Sequence, residues 1–131
     1  MAHPLREKAA ISGVGDTAYT RGTPKSGLAL QLEASLAAIA DAGLDPRDID
    51  GVVPYFPGGG IAEDFVANLG LPDLTLSAFI PMGGATCVAA MQTAVIPGLA
   101  PSKVNALFWP CSVSQSTIAI VKPPMDAQRQ Y

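Results

Sequence analysis

A single amphipathic helix between two short apolar runs constrains the fold of this chain more than any other feature. Ser26 can cap the start of the helix and Gly43 can end it, so the helix is expected to run to about Asp41. Its apolar residues recur at helical spacing on one face, and they are Leu28, Leu32, Leu36, Ile39 and Ala40. The runs at 9–15 and 51–55 have the composition of strands. This order predicts a parallel βαβ unit.

The rest of the chain continues the alternation of strands and helices. The predicted elements are a helix at 61–69, a strand from Leu74 to Ile80, a helix at 85–95, and strands at 104–109 and 117–121. Helical spacing in the third helix relates Val88, Met91, Gln92 and Val95. The last residues, 125–131, are expected to be unstructured. The order predicts an α/β layer fold, βαβαβαβ, with a mixed, mostly parallel sheet and helices packed on it.

Composition limits the classes of protein to which the chain can belong. Its 131 residues suffice for one domain with a buried core. Hydrophobic residues make up 49% and charged residues only 15%, which suggests that some apolar surface meets another chain. The net charge is −3 and no Lys/Arg cluster occurs, so nucleic-acid binding is not expected.

Residue types that usually carry metal or acid–base chemistry are scarce. Cys87 and Cys111 are the only cysteines and His3 is the only histidine. Neither a zinc site nor a Cys-His or Ser-His-Asp arrangement within the chain is therefore expected. No segment resembles a signal peptide, and no apolar run reaches the length of a membrane span. The expectation is a soluble cytoplasmic protein with no metal and no covalently bound cofactor.

The stretch from Pro81 to Gln92 is the candidate functional segment. The glycine pair Gly83-Gly84 lies between an apolar run and a helix start rich in small residues. Such a turn lets the backbone pass close to a ligand and presents helix N–H groups to it. Cys87 follows in the first helical turn, where a thiol is a good nucleophile. Free cysteine is also among the most buried residue types, so its sequence position leaves both roles open.

Two other glycine-rich stretches fall short of nucleotide-binding motifs. Gly13-Val14-Gly15 lacks the third glycine of a dinucleotide fingerprint because Ala18 stands in its place, and a strand-end turn is the preferred interpretation. Gly58-Gly59-Gly60 lacks the ending of a phosphate-binding loop and is interpreted as a flexible connection. Glu63 and Asp64 begin a short helix and are interpreted as capping residues.

Three segments resemble the N-terminal half of the thiolase superfamily, specifically its lipid-transfer, sterol-carrier-type branch. They are residues 10–15 (Ala-Ile-Ser-Gly-Val-Gly), 38–53 (from Ala-Ile-Ala-Asp-Ala-Gly to Ile-Asp-Gly-Val-Val) and 83–92 (Gly-Gly-Ala-Thr-Cys-Val-Ala-Ala-Met-Gln). The resemblance fades after residue 95, so 96–131 is expected to be a divergent end of a single domain, 1–131. It implies a thiolase-like half-fold that handles acyl groups, with a coenzyme A thioester as the substrate.

The resemblance also assigns the positions in the glycine turn. In that superfamily the acyl-accepting cysteine is followed by two small residues and usually a glycine. This pattern places Gly84 at the nucleophile position and Cys87 at the glycine, which implies a relative without the acyl-accepting thiol. Such relatives are associated with retro-aldol cleavage of acyl-CoA side chains, together with a small OB-fold acyl-CoA-binding partner. The predicted substrate-binding residues are Met82, Gly83, Gly84, Ala85 and Thr86.

Expected partners follow from the same resemblance. In thiolases the strand that corresponds to the run from Leu74 to Ile80 lies at the dimer interface, so a homodimer through that strand is expected. The acid/base residues of the family come mainly from a C-terminal half, so this chain alone is expected to be inactive as a thiolase. Two alternatives remain: an acetyl-CoA acyltransferase that uses Cys87 with a partner subunit, and a truncated, non-catalytic interaction module.

Overall fold

Three helices pack on one mixed sheet in the computed structural model, which describes residues 10–54, 60–82, 85–95, 105–111 and 117–122. The elements are β1 (Ala10–Asp16), α1 (Gly27–Asp41), a 3₁₀ turn (Pro46–Asp48), β2 (Gly51–Val53), α2 (Ala62–Leu69), β3 (Leu76–Ser77), α3 (Thr86–Val95), β4 (Ala106–Cys111) and β5 (Thr117–Lys122). The predicted α/β class and order are confirmed, and β5 follows the βαβαβαβ series as its last strand. Predictions for His3 and for residues 55, 57–59 and 125–131 fall outside the described residues.

The five described strands form one sheet in the order β1-β5-β4-β2-β3. β2 pairs in parallel with β3 and β4, whereas β5 pairs antiparallel with β4 and β1. The first four strands therefore point the same way and β5 is reversed, which confirms the mostly parallel sheet. β1, α1 and β2 have the predicted parallel direction, but β5 and β4 lie between the two strands.

The chain connections place the helices on opposite faces of the sheet. The connections through α1 and α2 step along the strand order in one direction, and the connection through α3 steps back. Because crossovers between parallel strands are right-handed, α1 and α2 lie on one face and α3 on the other. The contacts agree, since α1 packs on α2, β1 and β5, while α3 packs on β4, β2 and β5.

Two glycines allow α1 to lie directly on β1. Gly13 and Gly15 are inside the strand, so the prediction of a strand-end turn is wrong. A Cβ at Gly13 would lie 2.8 Å from the Ala42 backbone nitrogen, and one at Gly15 would lie 2.9 Å from the Ala37 Cβ. The glycines therefore serve helix–strand packing, which removes the support for a nucleotide-binding role.

α1 has the predicted ends but a different buried face. The Ser26 hydroxyl accepts a hydrogen bond from the Ala29 N–H at 3.1 Å, and Gly43 follows the helix with φ of +66°. Leu36 and Ala40, predicted to face the core, are exposed. The buried residues of the helix are Gln31, Ala34, Ser35, Ala38 and Ile39. Small side chains occupy this face because the glycines of β1 bring the helix close to the strand.

The main core lies between the sheet and the first two helices. It consists of Ala34, Ala38, Ile39, Ile49, Val52, Phe65, Leu71 and Leu107. Phe65 of α2 is fully buried in this core, whereas Ile61 is 55% exposed at the start of that helix. Val53 and Ala106 alternate with Val52 and Leu107 along their strands, so they face α3, where Ala90 is buried.

β3 is shorter than the strand predicted at 74–80. Its ladder covers Leu76–Ser77, and one further hydrogen bond joins the Ala78 N–H to the Val52 carbonyl at 3.3 Å. β2 ends at Val53, one residue beyond Val52, and is followed by Pro54, which has no N–H. The residues after 78 therefore have no strand to pair with on that side. β3 lies at one edge of the described sheet.

Candidate functional site

One buried side chain anchors the turn between β3 and α3. Thr86 opens α3 and is 1% exposed. Its hydroxyl donates a hydrogen bond to the Ile80 carbonyl at 3.0 Å and accepts one from the Met82 N–H at 3.0 Å. The Ala85 N–H donates to the Met82 carbonyl at 3.2 Å. The Thr86 hydroxyl thus joins the end of the strand segment to the start of the helix.

Three of the five predicted substrate-binding residues belong to the described part of this turn. Met82 is 58% exposed and Ala85 is exposed, so both are accessible at its surface. The Thr86 hydroxyl is occupied by backbone groups, which makes it a residue that positions the turn. Gly83 and Gly84 lie outside the described residues. The substrate-binding role of all five stays a prediction.

Cys87 lies in the first turn of α3, as expected. It stands between buried Thr86 and Val88, which is 60% exposed, at about 100° of rotation from each. The surroundings of its thiol lie outside the described side chains. Its alternative roles, nucleophile and packing residue, therefore stay predictions.

The segment around the turn is almost devoid of ionisable groups. Between Asp73 and Lys103 the sequence contains no Asp, Glu, Lys, Arg, His or Tyr, and Cys87 is its one ionisable side chain. A cysteine nucleophile needs a base or a cation nearby to form its thiolate. This segment supplies neither, so any proton transfer at the turn needs a group from another part of the protein or from a partner.

A cleft of about 290 Å³ opens where β2 and β3 end. Its walls are formed by Pro54, Gly60, Ile61, Ala62, Glu63, Ser77, Ala78 and Phe79. The carboxyl ends of parallel strands are the usual ligand-binding edge of an α/β sheet. An adjoining groove of about 390 Å³ shares Ala62, Glu63 and Ser77 with it. The sequence did not predict either one, because their walls come from segments separated along the chain.

The two backbone N–H groups just before α2, those of Gly60 and Ile61, are already bonded within the chain. The Asp64 carboxylate accepts a hydrogen bond from the Ile61 N–H at 3.0 Å, which confirms its predicted capping role. The Gly60 N–H donates to the Gln31 side-chain oxygen at 2.8 Å. Together with the acidic side chain of Glu63, these contacts disfavour an anion such as a phosphate group at this helix start.

A hydrogen-bond network joins the residues just before β2, β3 and β4, at the edge of the sheet opposite the cleft. The Asp50 carboxylate accepts from the Asn105 N–H at 2.7 Å, and the Asp50 carbonyl accepts from the Thr75 N–H at 2.7 Å. The Asn105 side-chain amide donates to the Asp48 carbonyl at 2.8 Å. Burial raises the pKa of Asp50, and the hydrogen bond from Asn105 opposes that change. The network stabilises the starts of β2, β3 and β4, at the end of the strands away from the turn.

The described residues contain neither a cluster of metal ligands nor a helix that could span a membrane. Across those ranges, no three side chains of His, Cys, Asp or Glu come together as metal ligands would. Nor does any helix within them have the length and apolar character needed to cross a bilayer.

Comparisons with curated proteins find two related enzymes, whereas no protein-family model matches the chain. The chain is 36% identical over 88 residues to a steroid side-chain-cleaving aldolase of Thermomonospora curvata. It is 35% identical over 92 residues to a 17-hydroxy-3-oxo-4-pregnene-20-carboxyl-CoA lyase of Mycobacterium tuberculosis. These matches cover 67% and 70% of this chain but 22% and 24% of the relatives, so the chain spans about a quarter of their length.

Two solved structures resemble the fold. An Ltp2-ChsH2(DUF35) aldolase superposes with a TM-score of 0.64 at 35% identity, over 83% of this chain and 30% of that chain. The priming β-ketosynthase of the R1128 polyketide biosynthetic pathway superposes with a TM-score of 0.51 at 17% identity, over 94% of this chain and 52% of that chain. The second likeness concerns the fold alone. The predicted thiolase-like fold is thereby supported.

Proposed function

We propose that this chain supplies the acyl-binding sheet unit of a thiolase-like aldolase that cleaves acyl-CoA side chains by a retro-aldol reaction. The observation that carries the proposal is the sequence similarity to two proteins whose names state side-chain-cleaving aldolase and CoA lyase activity, at 36% and 35% identity. The similarity to the Ltp2-ChsH2(DUF35) aldolase structure supports the same reaction class. Steroid-sized acyl groups, which fit the sterol-carrier-type branch, are the proposed substrates.

The reaction explains why a thiol at position 84 is unnecessary. A base takes the proton of the β-hydroxyl group, the new carbonyl forms, and the bond between the α and β carbons breaks. Its electron pair moves to the thioester as an enolate, which is then protonated to give the shortened acyl-CoA. No acyl group is transferred to the protein, so Gly84 can stand where thiolases carry their nucleophile.

The turn suits binding of the thioester rather than proton transfer. Its segment carries no charge, and the start of α3 offers the positive end of a helix dipole to a developing enolate oxygen. Thr86 fixes the geometry of the turn through its two hydrogen bonds. The base must come from elsewhere in the assembly. We propose that an acyl-CoA-binding subunit of the DUF35 type, as named in the similar Ltp2-ChsH2(DUF35) aldolase, completes the site.

The direct test measures cleavage by the chain with and without such a subunit. A β-hydroxyacyl-CoA with a steroid-sized side chain is incubated with each mixture, and the ketone and shortened acyl-CoA are quantified by mass spectrometry. We expect saturable acyl-CoA binding by the assembly and cleavage that requires both components. Gly84→Trp, which adds a large side chain at a proposed binding residue, should abolish binding, whereas Leu36→Ala on the exposed side of α1 should not change it.

Other outcomes of this experiment would support the acyltransferase or the interaction module instead. Transfer of the acyl group to Cys87, lost in Cys87→Ser, would identify an acyltransferase and contradict the retro-aldol proposal. Absence of acyl-CoA binding in the assembly would leave a non-catalytic interaction module.

A further inference from the structure

β1 is the longer of the two edge strands in the described sheet. It spans the seven residues Ala10–Asp16, and β5 pairs with one of its sides. Ile11 is 54% exposed and Val14 is 46% exposed, so two β-branched apolar side chains lie on its surface. The open side of such a strand presents backbone donors and acceptors with which a strand of another molecule can pair. Native proteins usually block edges of this kind.

A carboxylate of α1 occupies a backbone donor near the middle of β1. The Asp41 carboxylate accepts a hydrogen bond from the Val14 N–H at 2.9 Å, between residues 27 apart in the sequence. Because β5 occupies the paired side of β1, a donor that bonds a helix side chain belongs to the open side of the strand. The Val14 N–H is therefore not available to a further strand.

Local helix chemistry does not account for an acid at position 41. Asp41 is the last residue of α1, where the negative end of the helix dipole disfavours a carboxylate. The last turn of the helix contains no basic residue that would offset this effect. The Asp41 side chain is exposed, so it does not fill the core either. The hydrogen bond to β1 supplies the reason that the helix itself does not.

A second feature interrupts the same strand. The register between β1 and β5 shifts between Ile11 and Gly13, which makes Ser12 the extra residue of a β-bulge. A bulge bends and twists a strand, and this hinders its flat pairing with another molecule. The other edge strand of the described sheet, β3, is protected differently, because its ladder is only two residues long. The bulge and Asp41 thus act on the one long edge.

We propose that Asp41 closes the β1 edge, and that its removal lets β1 pair with β1 of a second copy of this chain. The carboxylate fills the donor to which an added strand would have to bond. Once that donor is free, two copies of β1 can pair antiparallel about a two-fold axis, where each strand contributes the same residues. This inference concerns the sheet edge and does not depend on the proposed retro-aldol activity.

Amide hydrogen exchange by NMR and sedimentation velocity of the full chain test the proposal. Asp41→Ala frees the Val14 N–H, whereas Asp41→Asn removes the charge but keeps an oxygen that can accept the hydrogen bond. In dilute solution the Val14 amide should exchange about tenfold faster in Asp41→Ala than in the unmodified chain, and at nearly the unmodified rate in Asp41→Asn. At higher concentration Asp41→Ala alone should form larger species than the unmodified chain.

Two results would overturn the proposal. One is a folded Asp41→Ala chain whose Val14 amide exchanges at the unmodified rate and whose association is unchanged. The other is equal additional association of Asp41→Ala and Asp41→Asn, since charge rather than the blocked donor would then keep the copies apart.

Further variants separate strand pairing from unfolding. Val14→Pro removes the freed donor, so adding it to Asp41→Ala should restore the association of the unmodified chain. Association that persists in this double variant would refute pairing at Val14. Should Asp41→Ala lose its circular dichroism spectrum, Asp41→Lys takes its place for the exchange measurement, because lysine suits the end of a helix and offers no acceptor. A Val14 amide that exchanges as slowly in Asp41→Lys as in the unmodified chain would contradict the proposal.

Discussion

The two faces of the sheet are built by different rules. On the face covered by α1 and α2, the glycines of β1 and the small residues of α1 allow close packing beside a large apolar core. Acidic side chains lie on the outer surfaces of these two helices. On the other face, α3 touches the sheet through small residues such as Ala90 and leaves an apolar, uncharged side outward. The large apolar core thus lies on the α1 and α2 side, whereas Val88 and Met91 of α3 are exposed.

The residues that stabilise the fold and the residues predicted to bind substrate therefore lie on different sides of the sheet. Cys87 and the described predicted substrate-binding residues, Met82, Ala85 and Thr86, lie in α3 or in the turn that leads into it. The α1 and α2 side contains the large buried side chains that hold the fold. Changes to buried residues on the α1 and α2 side should therefore destabilise the protein, whereas changes at exposed positions of α3 should leave the fold intact. The following predictions test that division, beginning with the largest effect.

Phe65→Ala should destabilise the protein most. Phe65 is 0% exposed and joins α2 to the core, so its removal loses transfer free energy and leaves a cavity. The expected loss is about 3–5 kcal/mol of unfolding free energy. Urea denaturation followed by circular dichroism measures it. Ile61→Ala, at the start of the same helix, changes a side chain that is 55% exposed and should lose less than about 1 kcal/mol of unfolding free energy. Equal losses would refute the assignment of the core to this face.

Gly15→Val should destabilise by about 1–3 kcal/mol or more through overpacking. The new Cβ would lie 2.9 Å from that of Ala37, and the backbone of α1 cannot move away without breaking its contact with β1. The neighbouring Val14 is 46% exposed, so Val14→Ile adds similar bulk without a clash and is the matched control. The same urea titration compares them. A fully stable Gly15→Val would mean that α1 does not lie directly on β1.

Thr86→Val should cost about 1 kcal/mol, because the part-buried Ile80 carbonyl and Met82 N–H lose their hydroxyl partner while the side-chain shape is kept. Thr86→Ser keeps the hydroxyl and should lose much less. If Thr86 positions the turn, acyl-CoA binding by the assembly should weaken in Thr86→Val and recover in Thr86→Ser. Calorimetric titration measures that binding. Unchanged binding in a destabilised Thr86→Val would separate the turn from the substrate site.

The sequence predicted those features that depend on local chemistry. Ser26 caps the start of α1 and Gly43, in the left-handed conformation, follows its end, both as expected. The Asp64 carboxylate caps α2. These signals act within one turn of the chain, so neighbouring residues suffice to identify them. β4 and β5 were likewise recognisable as apolar runs, although Pro110 lies inside one of them.

Features that depend on distant partners were predicted less well. The buried face of α1 is set by Gly13 and Gly15 of β1, the strand on which the helix packs, and these glycines favour alanine and serine over the larger Leu36. The length of β3 is set by the short strand β2 beside it. No local pattern contains either partner. The same holds for the site. The glycine pair and the small-residue helix start identified the turn, and the resemblance assigned its positions, but the two hydrogen bonds of Thr86 depend on where the backbone of Ile80 and Met82 lies.

The smallest expected effect concerns Asp50, where the strands that serve both faces begin. Burial raises the pKa of Asp50 above its ordinary value of 3.8, so folding disfavours the ionised carboxylate. Its contribution to stability is therefore complete below the unfolded pKa and is lost as pH rises through the folded pKa. Asp50→Asn cannot ionise, yet its amide oxygen can still accept the hydrogen bond from the Asn105 N–H.

Unfolding free energies of the two proteins should consequently diverge across the acidic range. Relative to Asp50→Asn, the unmodified chain should lose stability as the pH rises from the ordinary carboxyl pKa of 3.8 through the raised pKa of folded Asp50, with no further change above that pKa. Urea titrations at a series of pH values measure the difference. Asp50→Ala removes the acceptor and should be less stable than Asp50→Asn at every pH. Parallel curves for the unmodified chain and Asp50→Asn would show that the carboxylate is hydrated equally in both states, and the strand starts would then owe their order to backbone pairing alone.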